Sequence, residues 1–198
     1  MPIYHQGRKV KEVYHQGRKV KEIWHMGRRV YSSSKPVEVM PPMTGDFWAQ
    51  SWLRGKLAEY GEDYKTVTEL PFDIDSRNAA NMRSMFSDCS SLTSVPELDT
   101  RQVTTMRSMF FRCSSLTSVP QMDTSQVTDM AYMFSDCSSL TSVPELDTRQ
   151  VRDMTKMFWN CARLTDGNVR LNGRRLFVTT TDMITGSGLT REPFITIE

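Results

Sequence analysis

An α/β solenoid is the fold that these 198 residues lead one to expect, and three observations carry the expectation. The stretch "MFSDCSSLTSVPELDTRQV" at residues 85–103 recurs letter for letter at residues 133–151, with a near copy at residues 109–127, so the period is 24 residues. Each period holds a run with the apolar spacing of one helix face, as Val103, Met106, Met109 and Phe110 show. Each also holds a short β-prone run, "LTSVPEL", interrupted by a proline that cannot donate to a ladder. A rung this short cannot bury its apolar side alone, so the rungs are expected to stack.

The register is strict. Met82, Met106, Met130 and Met154 align, and so do Met85, Met109, Met133 and Met157, each followed by phenylalanine. Leu92, Leu116, Leu140 and Leu164 form another column, as do Asp75, Asp99, Asp123 and Asp147. A degenerate rung precedes them near Val67. A strand and a short helix in 24 residues fall in the leucine-rich-repeat range. The expected architecture is therefore an α/β repeat, a leucine-rich-repeat solenoid of 24-residue rungs. It has a helical N-terminal cap, a β C-terminal cap and a small antiparallel β head in front.

The head has its own repeat of ten residues: "IYHQGRKVKE", "VYHQGRKVKE", "IWHMGRRVYS". Six β-prone residues alternate with a four-residue turn whose glycine suits positive φ. The expectation is an antiparallel meander over residues 1–31. Its apolar positions Tyr4, Tyr14, Trp24, Val10, Val20 and Val30 would need a partner surface, so they are the candidates for oligomerisation or docking. The proline- and serine-rich residues 32–45 read as a linker. Residues 46–64 follow as the capping helix, with Ala49, Trp52, Leu53, Leu57 and Tyr60 on one face. The solenoid is expected over residues 65–166. Residues 167–198 form the β cap, where Asn172-Gly173 signals a hairpin and "PFITIE" a last strand.

The motif "MFSDCSSLTSVPELDTRQVTTM" resembles the BspA-like repeats of bacterial surface proteins, in the order Met-Phe, Cys, Leu, Asp-Thr, Val-Thr and Met. The resemblance implies a right-handed leucine-rich solenoid, frequent roles in adhesion and no catalytic residues. The head is similar to short Ile/Val-Tyr…Gly…Val repeats found in tail and other virion proteins of phages. That resemblance implies a docking module on a phage particle.

Charge and cysteine narrow the function. The net charge is +2, but residues 1–31 carry eight Lys/Arg against Glu12 and Glu22, which is +6 and leaves −4 for the rest. A nucleic-acid role for this head would need aromatics interleaved with its cations on one face, and the pattern argues against it. Cys89, Cys113, Cys137 and Cys161 lie 24 apart, one per rung. Equivalent side chains in a stack point the same way, about 4.8 Å apart, too far for the usual ~3.5–4.5 Å Cβ separation of a disulfide. They read as a ladder of buried reduced thiols, and with no CxxC pair zinc is not indicated. His5, His15 and His25 fall on successive turns at opposite ends of a meander, so no metal site is expected within one chain. The Asp column reads as capping of backbone amides rather than a calcium ladder.

No apolar run approaches a membrane span, and the opening Met-Pro-Ile-Tyr-His lacks the apolar core of a signal peptide. The chain is expected to stay in the cytosol where it is made unless something larger carries it out. No nucleophile–base–acid set, phosphate loop or cofactor motif can be assembled. The expectation is a non-enzymatic binding or structural protein, a phage or prophage virion component displaying its repeat domain for attachment. The alternative is a cell-surface adhesin or an intracellular protein-interaction module. Partners would be a second copy or other virion proteins at the head, and a bacterial surface protein or glycan at the repeat face. The candidate contacts are positions where rung identity breaks: Phe111, Arg112, Tyr132, Trp159 and Asn160, within the columns Ser87/Phe111/Ser135/Trp159, Asp88/Arg112/Asp136/Asn160 and Ser84/Ser108/Tyr132/Lys156.

Overall fold

The computed structural model describes residues 3–5, 8–10, 14–15, 18–19, 22–25, 28–32, 35–41, 48–173 and 178–193. The chain divides into two compact units, residues 1–37 and 38–198.

In the first unit the strands pair locally. β1 (Ile3–His5) pairs antiparallel with β2 (Arg8–Val10), β3 (Tyr14–His15) with β4 (Arg18–Lys19), and β5 (Glu22–His25) with β6 (Arg28–Ser32). The expected meander is thus replaced, among the described residues, by three separate antiparallel strand pairs. Pairing strands only a few residues apart in sequence costs little loop entropy. Val20 lies outside the described residues, as do the side chains of Tyr4, Val10, Tyr14, Trp24 and Val30.

The second unit also departs from expectation. The α/β leucine-rich-repeat solenoid is overturned. Among the described residues there is a single α-helix, α1 (Trp48–Glu59), and the remaining strands are short: β7 (Val37–Val39), β8 (Asp73–Asp75), β9 (Leu146–Asp147) and β10 (Leu171–Asn172). No helix forms on the "VTTMRSMF" runs. Their backbone explains why. In residues 82–89 the amides of Met82, Ser84, Phe86 and Asp88 donate to the carbonyls of Thr105, Arg107, Met109 and Phe111 at 2.8–3.1 Å. The amides between them, of Met85, Ser87 and Cys89, donate three residues back to Met82, Ser84 and Phe86. A helix would require every amide to reach four residues back. Ser84 and Asp88 instead adopt φ of 56° and 63°, which stops helical propagation twice in each row. Linked turns of this kind bring Met82, Met85, Phe86, Cys89 and Leu92 to one side, so they imitate helical apolar spacing without a helix.

The same pattern holds in residues 106–113, 130–137 and 154–161. The row at 179–186 accepts from Met154, Lys156, Phe158 and Asn160, while the amides of Thr180, Asp182, Ile184 and Gly186 meet no acceptor among the described residues. The expected β-prone runs form little strand. Pro96, Pro120 and Pro144 have no amide to donate, and only scattered bonds such as Thr141 N to Thr117 O remain. β10 pairs in parallel with β9. The far arm of the hairpin expected at Asn172-Gly173, residues 174–177, and the expected last strand, residues 194–198, lie outside the described residues.

The 24-residue columns make the core. The rings of Phe86, Phe110, Phe134 and Phe158 stack near-parallel with centroids 5.4, 5.4 and 5.7 Å apart. The Met, Cys and Leu columns are buried beside them. The cysteines are free, and the thiols of Cys113, Cys137 and Cys161 donate to the carbonyls of Phe86, Phe110 and Phe134. α1 covers the first row with Ala49, Leu53 and Leu57, all buried. Trp52 meets the edge of Phe72 at 6.4 Å. Gly61, at φ 75°, ends the helix, with Glu62 N bonding back to Leu57 O and Gly61 N to Ala58 O.

Candidate functional site

The left-handed turn positions carry the site. A residue with a side chain pays for positive φ, and Asp and Asn pay least. The second such position of each row is Asp88, Arg112, Asp136 and Asn160, the column singled out above. Because equivalent side chains stand next to one another, like charges would repel. The order of residues avoids this. Arg112 sits between two carboxylates, 3.9 Å from Asp88 and 3.9 Å from Asp136. Asn160 then donates from Nδ2 to Asp136 Oδ1 at 3.0 Å.

The ladder is closed at both ends by neighbours outside the column. Arg54 of α1 reaches Asp88 at 3.6 Å, and together with Gln50 it donates to the Ser87 carbonyl, the position that a preceding row would fill. Arg54 also lies 3.9 Å over the Tyr64 ring. At the other end the equivalent residue is Gly186, at φ 73°; a Cβ there would stand 2.4 Å from Asn160 Oδ1.

A groove of about 570 Å³ runs along this ladder. Asp88, Arg112 and Asp136 line it, together with Ser90, Ser114, Lys65 and Trp159. The preceding column alternates small and large. Ser87 and Ser135 are buried, while Phe111 and Trp159 are half-buried. Arg112 lies 4.8 Å over the Phe111 ring, and Lys156 Nζ lies 5.4 Å over Trp159. The Ser135 hydroxyl, beside Asp136, is buried and has no hydrogen-bond partner among the described residues.

Of the five candidates read from the sequence, Arg112 and Trp159 line the groove, Asn160 orients Asp136, and Phe111 lies beneath Arg112. Tyr132 belongs to the first left-handed column and faces Arg107 at 5.3 Å instead. Lys65, Ser90, Ser114 and Arg54 were not among the candidates. The serines are identical in successive rows, so a search for breaks in identity passes over them.

A second, smaller concavity of about 470 Å³ follows the Asp column, lined by Gln121, Asp123, Ser125, Glu145, Asp147 and Asn172 among others. Each Asp of that column accepts from the amide two residues on, an Asx turn. Arg77, Arg101 and Arg149 also pair with Asp75, Asp99 and Asp147, which offsets the repulsion along the column. Arg101 beside Asp99 draws its carboxyl down to about 2. Ser125 stands where the other rows have arginine, and this leaves the opening.

Among the described residues no group of three or more His, Cys, Asp or Glu is arranged to hold a metal ion, and no helix is long and apolar enough to cross a membrane. Comparison with known proteins places a family model, described as "Mycoplasma protein of unknown function, DUF285", over residues 73–188. No curated protein and no solved structure matches the chain.

Proposed function

The chain belongs to this DUF285 family, a repeat family related to the BspA-like repeats, and on that footing we propose that it is a non-enzymatic binding protein whose grooved face attaches it to a target. One observation carries the reading: two of the breaks in the 24-residue identity, Arg112 and Trp159, fall in one groove. The buried Met, Phe, Cys and Leu columns keep their letters, while Arg112 and Trp159 interrupt theirs on the groove wall. An accessible concavity that holds an aromatic ring and a guanidinium where the repeat breaks has the composition of a recognition surface.

Within this reading the carrier is a phage or prophage virion, in its tail or another surface part. The support is the resemblance of the ten-residue head to virion repeats. The head would then dock on a second copy or another virion protein. The family description, which speaks of Mycoplasma proteins, favours the second reading, a cell-surface adhesin or interaction module of the bacterium itself. Immunogold labelling of purified particles and of intact cells separates the two. Label on particles alone supports the first reading, and label on uninfected cells supports the second. The attachment role is tested by binding of the whole chain to bacterial cells and wall fragments. Arg112→Ala and Trp159→Ala should each reduce retention about tenfold or more. Equal retention of both variants and the parent refutes the site.

A further inference from the structure

Resting on that attachment reading, we propose that the groove holds an extended, uncharged oligosaccharide, with one sugar ring lying against each successive row. Three features of the groove lead to this ligand class. The first is length and pitch. The groove spans several rows, from Asp88 through Arg112 and Asp136 to Trp159, and equivalent rings of successive rows recur every 5.4 to 5.7 Å. An extended β-linked hexose chain advances by a closely similar length per sugar. Each sugar would therefore meet an equivalent set of groups.

The second feature is charge. Lys65 and Arg112 balance Asp88 and Asp136, so the lining has no net sign. A polyanion such as a nucleic acid would bring phosphates against two carboxylates, and a polycation would meet Arg112. Hydroxyl groups suit this wall because each both donates and accepts. The carboxylates accept, the guanidinium donates, and Ser90 and Ser114, whose hydroxyls already donate to the carbonyls of Lys65 and Ser90, accept as well. Arg112 and Asp136 are already oriented by their neighbours, Asp88 and Asn160, so little ordering is needed on binding. The third feature is Trp159. Its indole lines a polar groove, and with Lys156 Nζ 5.4 Å over one face, a sugar would use the other, whose negative quadrupole attracts weakly positive C–H groups.

The experiment uses the whole chain, with cellohexaose and chitohexaose as probes and their shorter oligomers as a length series, followed by Trp fluorescence and calorimetry. Affinity should rise with each added sugar up to about four and then level off, because the ladder has four rows. It should change little between low and high salt, as expected when no net charge is neutralised. Trp159→Ala and Asp136→Asn should each weaken binding at least about tenfold without lowering the melting temperature by more than a few degrees.

Absence of binding to both glycans, while the parent still binds cells and Trp159→Ala does not, overturns the sugar assignment and leaves the attachment site standing with a protein ligand. Binding that falls steeply with salt likewise overturns it. Cell binding unaffected by either variant overturns both readings. If Trp159→Ala proves unstable, Arg112→Gln and the length series carry the test, since a fold defect would not produce a plateau at four sugars.

Discussion

Replacing Phe134 with alanine removes the third ring of a four-ring column. The ring is fully buried, and it stacks on Phe110 at 5.4 Å and on Phe158 at 5.7 Å. Burial and cavity together make a Phe→Ala change cost about 3–5 kcal/mol. The upper half of that range is expected here, because the rows on either side cannot close the gap. Phe110 N donates to Met133 O and Phe134 N to Met157 O, at 2.9 Å each, and these bonds hold the rows apart at their spacing. With a urea slope of about 2 kcal/mol per M, the unfolding midpoint should fall by about 2 M. Stacked rings add about 0.5–1.5 kcal/mol per pair beyond their area. A double-mutant cycle of Phe110→Ala with Phe134→Ala should therefore show coupling of that order, whereas Phe86→Ala with Phe134→Ala, which share no contact, should be near additive. A loss below about 1 kcal/mol for Phe134→Ala, or coupling as large for the distant pair as for the adjacent one, would refute the stacked column as the core.

The four thiols should resist alkylation at pH 8 in the native protein and react fully after denaturation, because burial pushes Cys89 and Cys161 up to about 12 and the other two well above their ordinary value. A raised folded value means stability is intact below the unfolded thiol range of about 8.5 and declines as pH rises from there toward 12, which alkaline melts will show. Asp99 works in the opposite sense: its stabilisation is present above about pH 4, the unfolded value, and is lost as pH falls toward about 2. Arg101→Ala should bring the Asp99 carboxyl back toward the ordinary range by NMR titration and make the acid-side loss shallower. Gly186→Ala should cost about 1–2 kcal/mol in urea unfolding, from positive φ and the clash with Asn160, and part of that cost should disappear in an Asn160→Ala background. Light scattering should find a larger assembly for the whole chain than for a chain starting at Glu38, and equal states would remove the head from any role in assembly.

Burial was readable from letters in a way that backbone was not. The columns of Met, Phe, Cys and Leu follow directly from the 24-residue spacing, and all of them lie inside. The helix expected on Val103, Met106, Met109 and Phe110 fails because its periodicity has two physical sources. An α-helix and a chain of turns bonded three residues back both return side chains to one face after three or four positions. Only the left-handed residues distinguish them, and Ser84, Ser108, Tyr132 and Lys156 are not residues that advertise positive φ. The strand expected on "LTSVPEL" is limited by its own proline. At the site, Arg112 and Trp159 stood out because they interrupt a repeated phrase. The arginines that neutralise the Asp column, Arg77, Arg101 and Arg149, were legible two residues after each Asp, but attention to backbone capping hid their charge.

The direction of the inter-row hydrogen bonds gives the second unit an electrical sense. Between the rows beginning at Met106 and Met130, the amides of Met106, Ser108, Phe110 and Arg112 point forward along the chain, and those of Thr128 and Thr141 point back. In an ordinary parallel sheet the two senses balance and little net moment survives. Here the forward bonds prevail, so peptide dipoles add along the stack as they do along a helix axis, with the polarity reversed relative to chain direction. The amides of Thr180, Asp182, Ile184 and Gly186, which meet no acceptor among the described residues, form the positive terminal. The negative terminal is the carbonyl edge of the first row, where the guanidinium of Arg54 is already in place on Ser87.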